Sequence, residues 1–244
     1  MKSQNENGPA LICIPDITGF TRFMAETDLA FSRKIIPPLL RSLVASNTLS
    51  MSVGEVEGDA ILFYRFGALP SLSELTEQCK KFHADFNEQL ESLKKQFPDD
   101  FAKYISTKKL SLKIVLHAAE MTSTHIEGMI KLIGEDVVVV HKLLKNSVED
   151  AEYILFSEKL LSHFTENEIN NLLNWDQLKN GKDEYDFIGE IKYRYIPLTS
   201  VKQEKEVAGV IPPEKINGRP VVLPKKITSL TNRNRSVQQS REPK

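Results

Sequence analysis

The alternation of apolar and polar residues along the chain predicts a succession of strands and helices. An apolar, β-rich run at residues 10–14 stops at Pro15 and Asp16 and predicts a buried strand, after which residues 18–21 turn into a helical pattern. In residues 71–97 apolar positions recur every three or four residues behind a capping box of Ser71 and Glu74, which predicts a long helix. Further strands are predicted at 50–56, 60–66, 110–116, 124–133, 153–156 and 186–198, and further helices at 38–49, 135–146, 157–164 and 166–173.

The order of these elements, βα(α)ββα followed by ββαβ, predicts an α/β (α+β) fold with helices packed on a ferredoxin-like mixed sheet. We expect a flexible N-terminus at residues 1–9, one domain at residues 10–199 and a basic, largely disordered tail at residues 200–244. The tail carries a charge of +6 and the rest of the chain −7. A solvated tail is the favoured interpretation, and an arm that contacts an acidic partner or nucleic acid is the alternative.

Composition restricts the class of protein further. With 244 residues, 41% of them hydrophobic, the chain can bury a core without disulfides, and its two cysteines are typical of a reduced, cytoplasmic compartment. The net charge of −1 gives no indication of nucleic-acid binding. The apolar runs are too short to cross a bilayer, so no membrane segment is expected.

Two acidic residues lie at turns that a ferredoxin-like sheet brings side by side. Asp16 ends the first strand, and Asp59 lies in the hairpin turn at residues 57–59. Two adjacent carboxylates repel each other unless a cation lies between them, and Mg²⁺ commonly shares such a pair with substrate phosphates. The backbone amides of residues 17–20 would face the same place, where Gly19 permits close approach of an anion. Alternatively, Asp16 only caps the following turn and Asp59 only suits a hairpin.

The same segments resemble the catalytic domain of class III adenylyl and guanylyl cyclases. Residues 14–21 are similar to that family's strand-to-helix motif, and residues 55–60 are similar to its hairpin motif. Weaker similarity continues at residues 113–117, 133–137 and 187–198. The resemblance implies a nucleotide cyclase-like fold with Mg²⁺ or Mn²⁺ as cofactor. It implies metal ligands at Asp16, Ile17 and Asp59, and a phosphate-binding turn at Thr18, Gly19, Phe20 and Thr21.

The family's reaction joins a ribose 3′-hydroxyl to the α-phosphate of a nucleoside triphosphate, in a site formed across a dimer. One subunit brings the metal carboxylates, and the other brings the base-reading and transition-state residues. The family's transition-state Asn corresponds to Val138, which cannot hydrogen-bond, and its Arg corresponds to Lys142, which keeps the charge but not the forked donor. The glycines that usually follow the family's core strand are Ala118, Ala119 and Glu120. Because one positioned donor is worth on the order of 10²–10³ in rate, these departures predict at most slow cyclisation.

The positions that read the base in the family correspond to Glu55 and Lys131. A carboxylate can accept from guanine N1–H and its amino group, and an ammonium can donate to O6, so this pair matches guanine. Alternatively, the two residues form an ion pair that fills an empty pocket. His117 and His141 are expected to be structural or solvent-facing.

Three hypotheses follow. The first is a divergent cyclase-like domain that binds a purine nucleoside triphosphate, with GTP slightly favoured, and that works as a homodimer or as a heterodimer with another cyclase-like chain. The second is a catalytically inactive regulatory or interaction module of the same fold. The third is a basic-tailed interaction protein for which the fold is a platform. Sequence alone leaves open whether the protein is an enzyme.

Overall fold

The computed structural model describes residues 6–104, 110–172 and 178–198. The chain divides into two units, Met1–Glu204 and Lys205–Lys244, and all described residues belong to the first. The proposed tail at residues 200–244 therefore lies outside the described residues. The strands are β1 Asn7–Thr18, β2 Ser52–Glu57, β3 Ala60–Phe66, β4 Ser111–Ile126, β5 Met129–Ile133, β6 Tyr153–Ser157, β7 Lys179–Tyr185 and β8 Gly189–Pro197. The helices are α1 Phe20–Glu26, α2 Leu29–Ala45, α3 Leu72–Gln96, α4 Pro98–Tyr104, α5 Glu135–Leu143, α6 Glu158–Leu161 and α7 Glu166–Leu172.

The strands form one mixed sheet in the order β2-β3-β1-β4-β6-β8-β7, with β5 extending β4 as a hairpin. The β4–β6 pair is parallel and the other pairs are antiparallel. The predicted mixed sheet with packed helices is thus confirmed, with β1 in a central position between β3 and β4. Among the described residues, no helix is both long and apolar enough to span a membrane.

Both faces of the sheet are covered, because β1 alternates between two apolar clusters. Leu11, Cys13 and Ile17 face the cluster that α2, α3, α6 and α7 complete. Ala10, Ile12 and Ile14 face the cluster that α5 completes. A central strand with apolar residues on both faces is the arrangement expected when helices lie above and below it.

The first strand and the second helix are longer than predicted. β1 continues through Pro15 and Asp16 to Thr18 and begins at Asn7, so residues 7–9 belong to the sheet. α2 begins at Leu29 rather than at Pro38 and contains both prolines. The prolines are tolerated because the carbonyls they leave unpaired belong to the exposed residues Arg33 and Lys34, where water can bond them. The buried stripe of Phe31, Ile35, Leu39 and Leu43 continues across them.

Two predicted strands were wrong in extent. The predicted strand at 124–133 spans a hairpin, since β4 reaches Ile126 and the chain turns at Glu127 and Gly128, both at positive φ. Residue 186 lies in the turn between β7 and β8, and β7 was not predicted at all. Its sequence, KNGKDEY, is polar and mostly exposed, as is usual for an edge strand that packs one face at most.

Candidate functional site

The carboxyl groups of Asp16 and Asp59 converge at the end of the central strand. Asp16 pairs with Ala60 in the β1–β3 ladder, and the amide of Ile17 donates to the carbonyl of Asp59 over 3.2 Å. This register holds the β2–β3 turn against β1, and the two carboxyl groups lie close enough to interact electrostatically. The predicted convergence of the two acids is therefore a feature of the fold.

The environment makes Asp59 a weak acid. Burial raises the pKa of Asp59 to about 6, and the adjacent Asp16 carboxylate adds to the increase, while Lys113 acts against it. Two carboxylates this close cannot both ionise without cost, so a proton or a cation is favoured between them.

Lys113 is a member of the site that sequence reasoning missed. It lies opposite Asp16 in the β1–β4 ladder, and its Nζ is 3.2 Å from Asp16 Oδ2. The same Nζ donates to the carbonyl of Leu144, just beyond α5, over 2.9 Å. In the sequence, Lys113 lies two residues before Val115, in a mostly apolar stretch of the strand. A lysine in such a stretch indicates an anionic partner, because a mostly buried ammonium requires one.

The two acids open into a cavity of about 740 Å³ between the β1–α1 turn and α5. Its walls combine acidic residues on the sheet with basic residues on the helix side. The lining residues are Asp16, Ile17, Thr18, Gly19, Phe20, Thr21, Arg22, Glu57, Asp59, Ala60, Lys113, Val138, His141, Lys142, Leu144 and Lys145.

The β1–α1 turn brings the predicted phosphate-binding residues into this cavity. Gly19 has φ of 88°, a left-handed conformation that L-residues with a Cβ adopt at a cost, and it takes the chain directly from β1 into α1. Thr18 Oγ1 is buried and has no hydrogen-bond partner among the described residues. A buried hydroxyl of this kind calls for a partner that the protein chain itself does not supply.

Val138 and Lys142 line the same cavity from α5. They are one helical turn apart and line the cavity of their own chain's acids, whereas the resemblance implied that they serve the site of the other subunit. Val138 is 50% exposed although it is aliphatic. Its exposure shows that this wall of the cavity is not packed by the chain.

Glu55 and Lys131 do not join the carboxylate site within one chain. Glu55 lies on β2 and Lys131 on β5, and their charged groups are 4.0 Å apart, with side chains 45% and 58% exposed. Neither belongs to the residues that line the cavity of Asp16 and Asp59. The two groups form an ion pair, and its exposure makes it a weak contact; that the pair fills an empty pocket stays a prediction.

The donor set at Asp16 and Asp59 fits a hard divalent cation bound together with an anionic ligand. Mg²⁺ is commonly held by one or two carboxylates plus substrate phosphates. Among the described residues no group of three or more His, Cys, Asp or Glu side chains forms a closed metal site. Two carboxylates that compete for one proton, beside an open cavity with lysines, therefore suit a metal that shares its coordination with a ligand.

Comparison with known proteins matches the chain to a family model and to a curated relative. The model of a protein family of unknown function, DUF2652, matches residues 36–153. An uncharacterized protein of Mycobacterium tuberculosis, Rv2561/Rv2562, is 28% identical over 162 residues, which cover 66% of this chain and 73% of the relative.

Solved structures of nucleotide cyclases resemble the chain over most of its length. The catalytic core of a rhodopsin-guanylyl cyclase with converted specificity, in complex with ATPαS, has a TM-score of 0.55 at 14% identity, covering 79% of this chain and 98% of that one. The guanylyl cyclase Cya2 has a TM-score of 0.53 at 15% identity, with coverages of 80% and 94%. The adenylyl cyclase CyaB from P. aeruginosa has a TM-score of 0.51 at 14% identity, with coverages of 80% and 96%. The chain therefore has the fold of adenylyl and guanylyl cyclase catalytic domains.

Proposed function

We propose that this protein binds a purine nucleoside triphosphate together with Mg²⁺ or Mn²⁺ at the cavity of Asp16 and Asp59. The observation that carries the proposal is the convergence of these two carboxyl groups, with the pKa of Asp59 raised to about 6 by burial and by Asp16. Repulsion between the two carboxylates destabilises the metal-free site, and a bound cation removes that repulsion. Cation binding is therefore favoured at this site.

Asp16, Asp59 and the carbonyl of Ile17 would hold the metal. When bound, the ion neutralises phosphate charge and lowers the pKa of a coordinated hydroxyl. The chain's own contribution is the fixed β1–β3 register, which holds both acids in place before the ligand arrives.

Basic groups around the same cavity are suited to the phosphates. Lys113 already lies beside Asp16, and Lys142 and Lys145 face the acids from the α5 side. In the turn, the first amides of α1 have no partner inside the helix, and the Thr18 hydroxyl is unpaired among the described residues. Together these groups supply positive charge and donors for a triphosphate that also touches the metal.

Turnover by the cyclase reaction would be slow. Val138 faces the cavity at the position where the resemblance expects Asn, and valine donates no hydrogen bond to a ribose or a developing oxyanion. This specific observation favours a second candidate function, a regulatory module that binds the nucleotide without converting it.

The base-reading residues would come from a second subunit. Exposed aliphatic residues lie on β2, β5 and α5 and at the end of β4, and β2 is an edge strand that also carries Glu55. Exposed apolar groups next to an open edge are typical of a surface that pairs with another chain. In a dimer formed along this edge of the sheet, Glu55 and Lys131 of one subunit would approach the cavity of the other, where they would recognise guanine. The exposed aliphatic residues are Val53, Val56, Ile126, Met129, Ile133 and Val138.

Substituting Asp for Val56, which is 53% exposed, is expected to convert a dimer into a monomer, because a charge would be desolvated in the interface. Sedimentation velocity checks this. The control is Val44→Asp, which places the same charge at an aliphatic residue that is 44% exposed on α2, outside the edge strand. A wild-type protein that is monomeric at high concentration, or equal dissociation by both variants, would contradict the assignment of this edge.

Ligand-dependent thermal unfolding of the full chain tests the binding proposal. With Mn²⁺ present, GTP at about 100 times its dissociation constant is expected to stabilise the folded state by about 2.7 kcal/mol, with ATP weaker. With EDTA the shift should disappear. Assays for pyrophosphate and cyclic nucleotide under the same conditions separate turnover from binding. Absence of any metal-dependent shift with GTP, ATP or non-hydrolysable analogues would exclude the proposed function.

A further inference from the structure

A buried polar array lies outside the carboxylate cavity, at the opposite end of α5. His117 lies within the buried part of β4, and Ser157 ends β6 next to it, because Leu116 and Phe156 are paired in the parallel ladder. His117 Nδ1 is 2.8 Å from Ser157 Oγ, and His117 Nε2 is 3.0 Å from Asp136 Oδ1. All three residues are buried, with exposed fractions of 2%, 1% and 8% for His117, Ser157 and Asp136.

Every acceptor of Asp136 is occupied. Lys159 Nζ donates to both carboxylate oxygens at 2.7 and 2.6 Å, and the backbone amide of Glu120 donates to Oδ2 at 2.7 Å. Burial by itself would raise the pKa of Asp136, but the hydrogen bonds from His117, Glu120 and Lys159 outweigh burial and lower it. Asp136 is therefore held as a carboxylate, which can only accept, so His117 Nε2 carries a proton towards it.

The array fixes the first turn of α5 in place. Asp136 is the second residue of this helix, yet its side chain bonds to β4 and α6 instead of capping its own helix. Between its two ends, α5 contacts the sheet through apolar side chains, those of Val139, Val140 and Leu143. Apolar packing alone permits a helix to slide or rotate, whereas hydrogen bonds of defined length and direction select one position.

The other end of the same helix reaches the carboxylate cavity. α5 has nine residues and is about 13 Å long, and the carbonyl of Leu144 directly after it accepts from Lys113, the ion-pair partner of Asp16. Its exposed face carries Val138 and Lys142 into that cavity. A displacement at Asp136 would therefore move Lys142 relative to Asp16 and Asp59.

We propose that His117, Asp136 and Lys159 are positioning residues that set α5, and with it Lys142, over the site of Asp16 and Asp59. The role of these residues in ligand binding rests on the proposed function, whereas their effect on the position of α5 does not. The array also faces a second cavity, of about 410 Å³, lined by residues of α5, α6 and β8. Lys159 is 47% exposed there, so the array is in contact with solvent. The charge of Lys159 can therefore be removed by substitution at a partly exposed position.

The test uses two variants. Asp136→Asn keeps the shape of the side chain but removes the negative charge to which Lys159 and His117 both donate. Lys159→Gln removes one donor from a partly exposed position and leaves the buried residues intact, so it is expected to fold even where Asp136→Asn does not. The control is Lys192→Gln, which neutralises a lysine that lines the same cavity and pairs with Glu190 rather than with Asp136.

The first measurement follows the helix itself. Spin labels on His141→Cys in α5 and Glu77→Cys in α3 report their separation by pulsed electron paramagnetic resonance, and the fully buried Cys13 and Cys79 escape labelling in the folded protein. A single narrow distance is expected for the parent and for Lys192→Gln. Asp136→Asn and Lys159→Gln are expected to shift or broaden it. A merely structural role would lower the stability of the variants without changing this distance in their folded state.

The second measurement follows the site in unlabelled protein. Affinity for GTP with Mn²⁺ should fall about tenfold in both variants, the size expected for the loss of one well-placed contact. Affinity for Mn²⁺ alone should stay unchanged, because Asp16 and Asp59 are not on α5. An unchanged label distance in both variants overturns the proposal, whatever happens to affinity. A changed distance in a protein whose parent binds no nucleotide supports the positioning of α5 and refutes the proposed function instead.

Discussion

Replacing Asp59 with Asn is expected to abolish metal-dependent nucleotide binding and, at the same time, to stabilise the metal-free protein. Affinity should fall at least about 100-fold, because the site loses one of its two anionic ligands. Loss of a residue that only hydrogen-bonds to a metal ligand already lowers metal affinity by about 10–100-fold. Stability should rise by about 1 kcal/mol at neutral pH, a value discounted for the solvent that reaches this half-buried group. Isothermal titration with Mn²⁺ and GTP, and urea unfolding, measure the two effects.

The same variant should remove a pH dependence. The pKa of Asp59 is about 6 in the folded protein and 3.8 in a free side chain, so the folded state retains a proton between these values that the unfolded chain has released. The contribution of Asp59 to the stability of the metal-free parent is therefore present in full below about pH 4 and is lost as pH rises through about 6. Asp59→Asn should flatten this decrease, and saturating Mn²⁺ should reverse it in the parent only.

Asp186→Asn is the matched control, since it neutralises an exposed acid in another hairpin turn, between β7 and β8. It should change neither nucleotide binding nor the profile between pH 4 and 6. If Asp59→Asn binds Mn²⁺ and GTP as the parent does, the two carboxylates are not the metal ligands. If it destabilises the metal-free protein, Asp59 is a structural turn residue.

The double substitution Val138→Asn and Lys142→Arg is expected to raise the rate of cyclisation by about 10²-fold or more. Both residues face the cavity from the same side of α5, so asparagine and the forked guanidinium would add donors where negative charge develops in the transition state. Val138 is half exposed, so its replacement should leave the core intact. Formation of cyclic nucleotide and of pyrophosphate from GTP with Mn²⁺ is measured at saturating substrate.

Adding Asp59→Asn to the double variant provides the control, because any gain must depend on the metal site. An increase that survives the loss of Asp59 would indicate a contaminating activity. Unchanged turnover in a double variant that still binds GTP with Mn²⁺ would show that α5 does not face the reacting atoms. The inactive binding module would then be the better description.

The candidate acids were predictable from the sequence because each is marked by its local context. Asp16 follows an apolar run, and Asp59 follows the glycine of a tight turn between two strands. Hairpin pairing of β2 with β3 and the central position of β1 then leave little freedom in where the two turns lie. Element ends were less predictable: β1 and α2 continue across prolines, since burial of their apolar residues outweighs local preference.

The basic side of the cavity and the buried array were not predictable in the same way. Lys113 joins Asp16 only because of the register between β1 and β4, which are about a hundred residues apart in sequence. His117, Asp136 and Ser157 belong to three elements, and they meet only when α5 lies across β4 and β6 is parallel to it. His117 was expected to be structural or solvent-facing; it is buried and forms part of a charged network.

The sequence by itself determined the class of fold, the two acids and the glycine turn beside them, and it located Val138 where the related family has a donor. Those features depend on short segments, whose strand, turn and helix preferences are local. Only the tertiary structure decided that Lys113 balances Asp16, that α5 brings Lys142 to the same cavity, and that Asp136 holds this helix in place. Such contacts depend on strand register and on helix position, which the packing of the whole sheet sets.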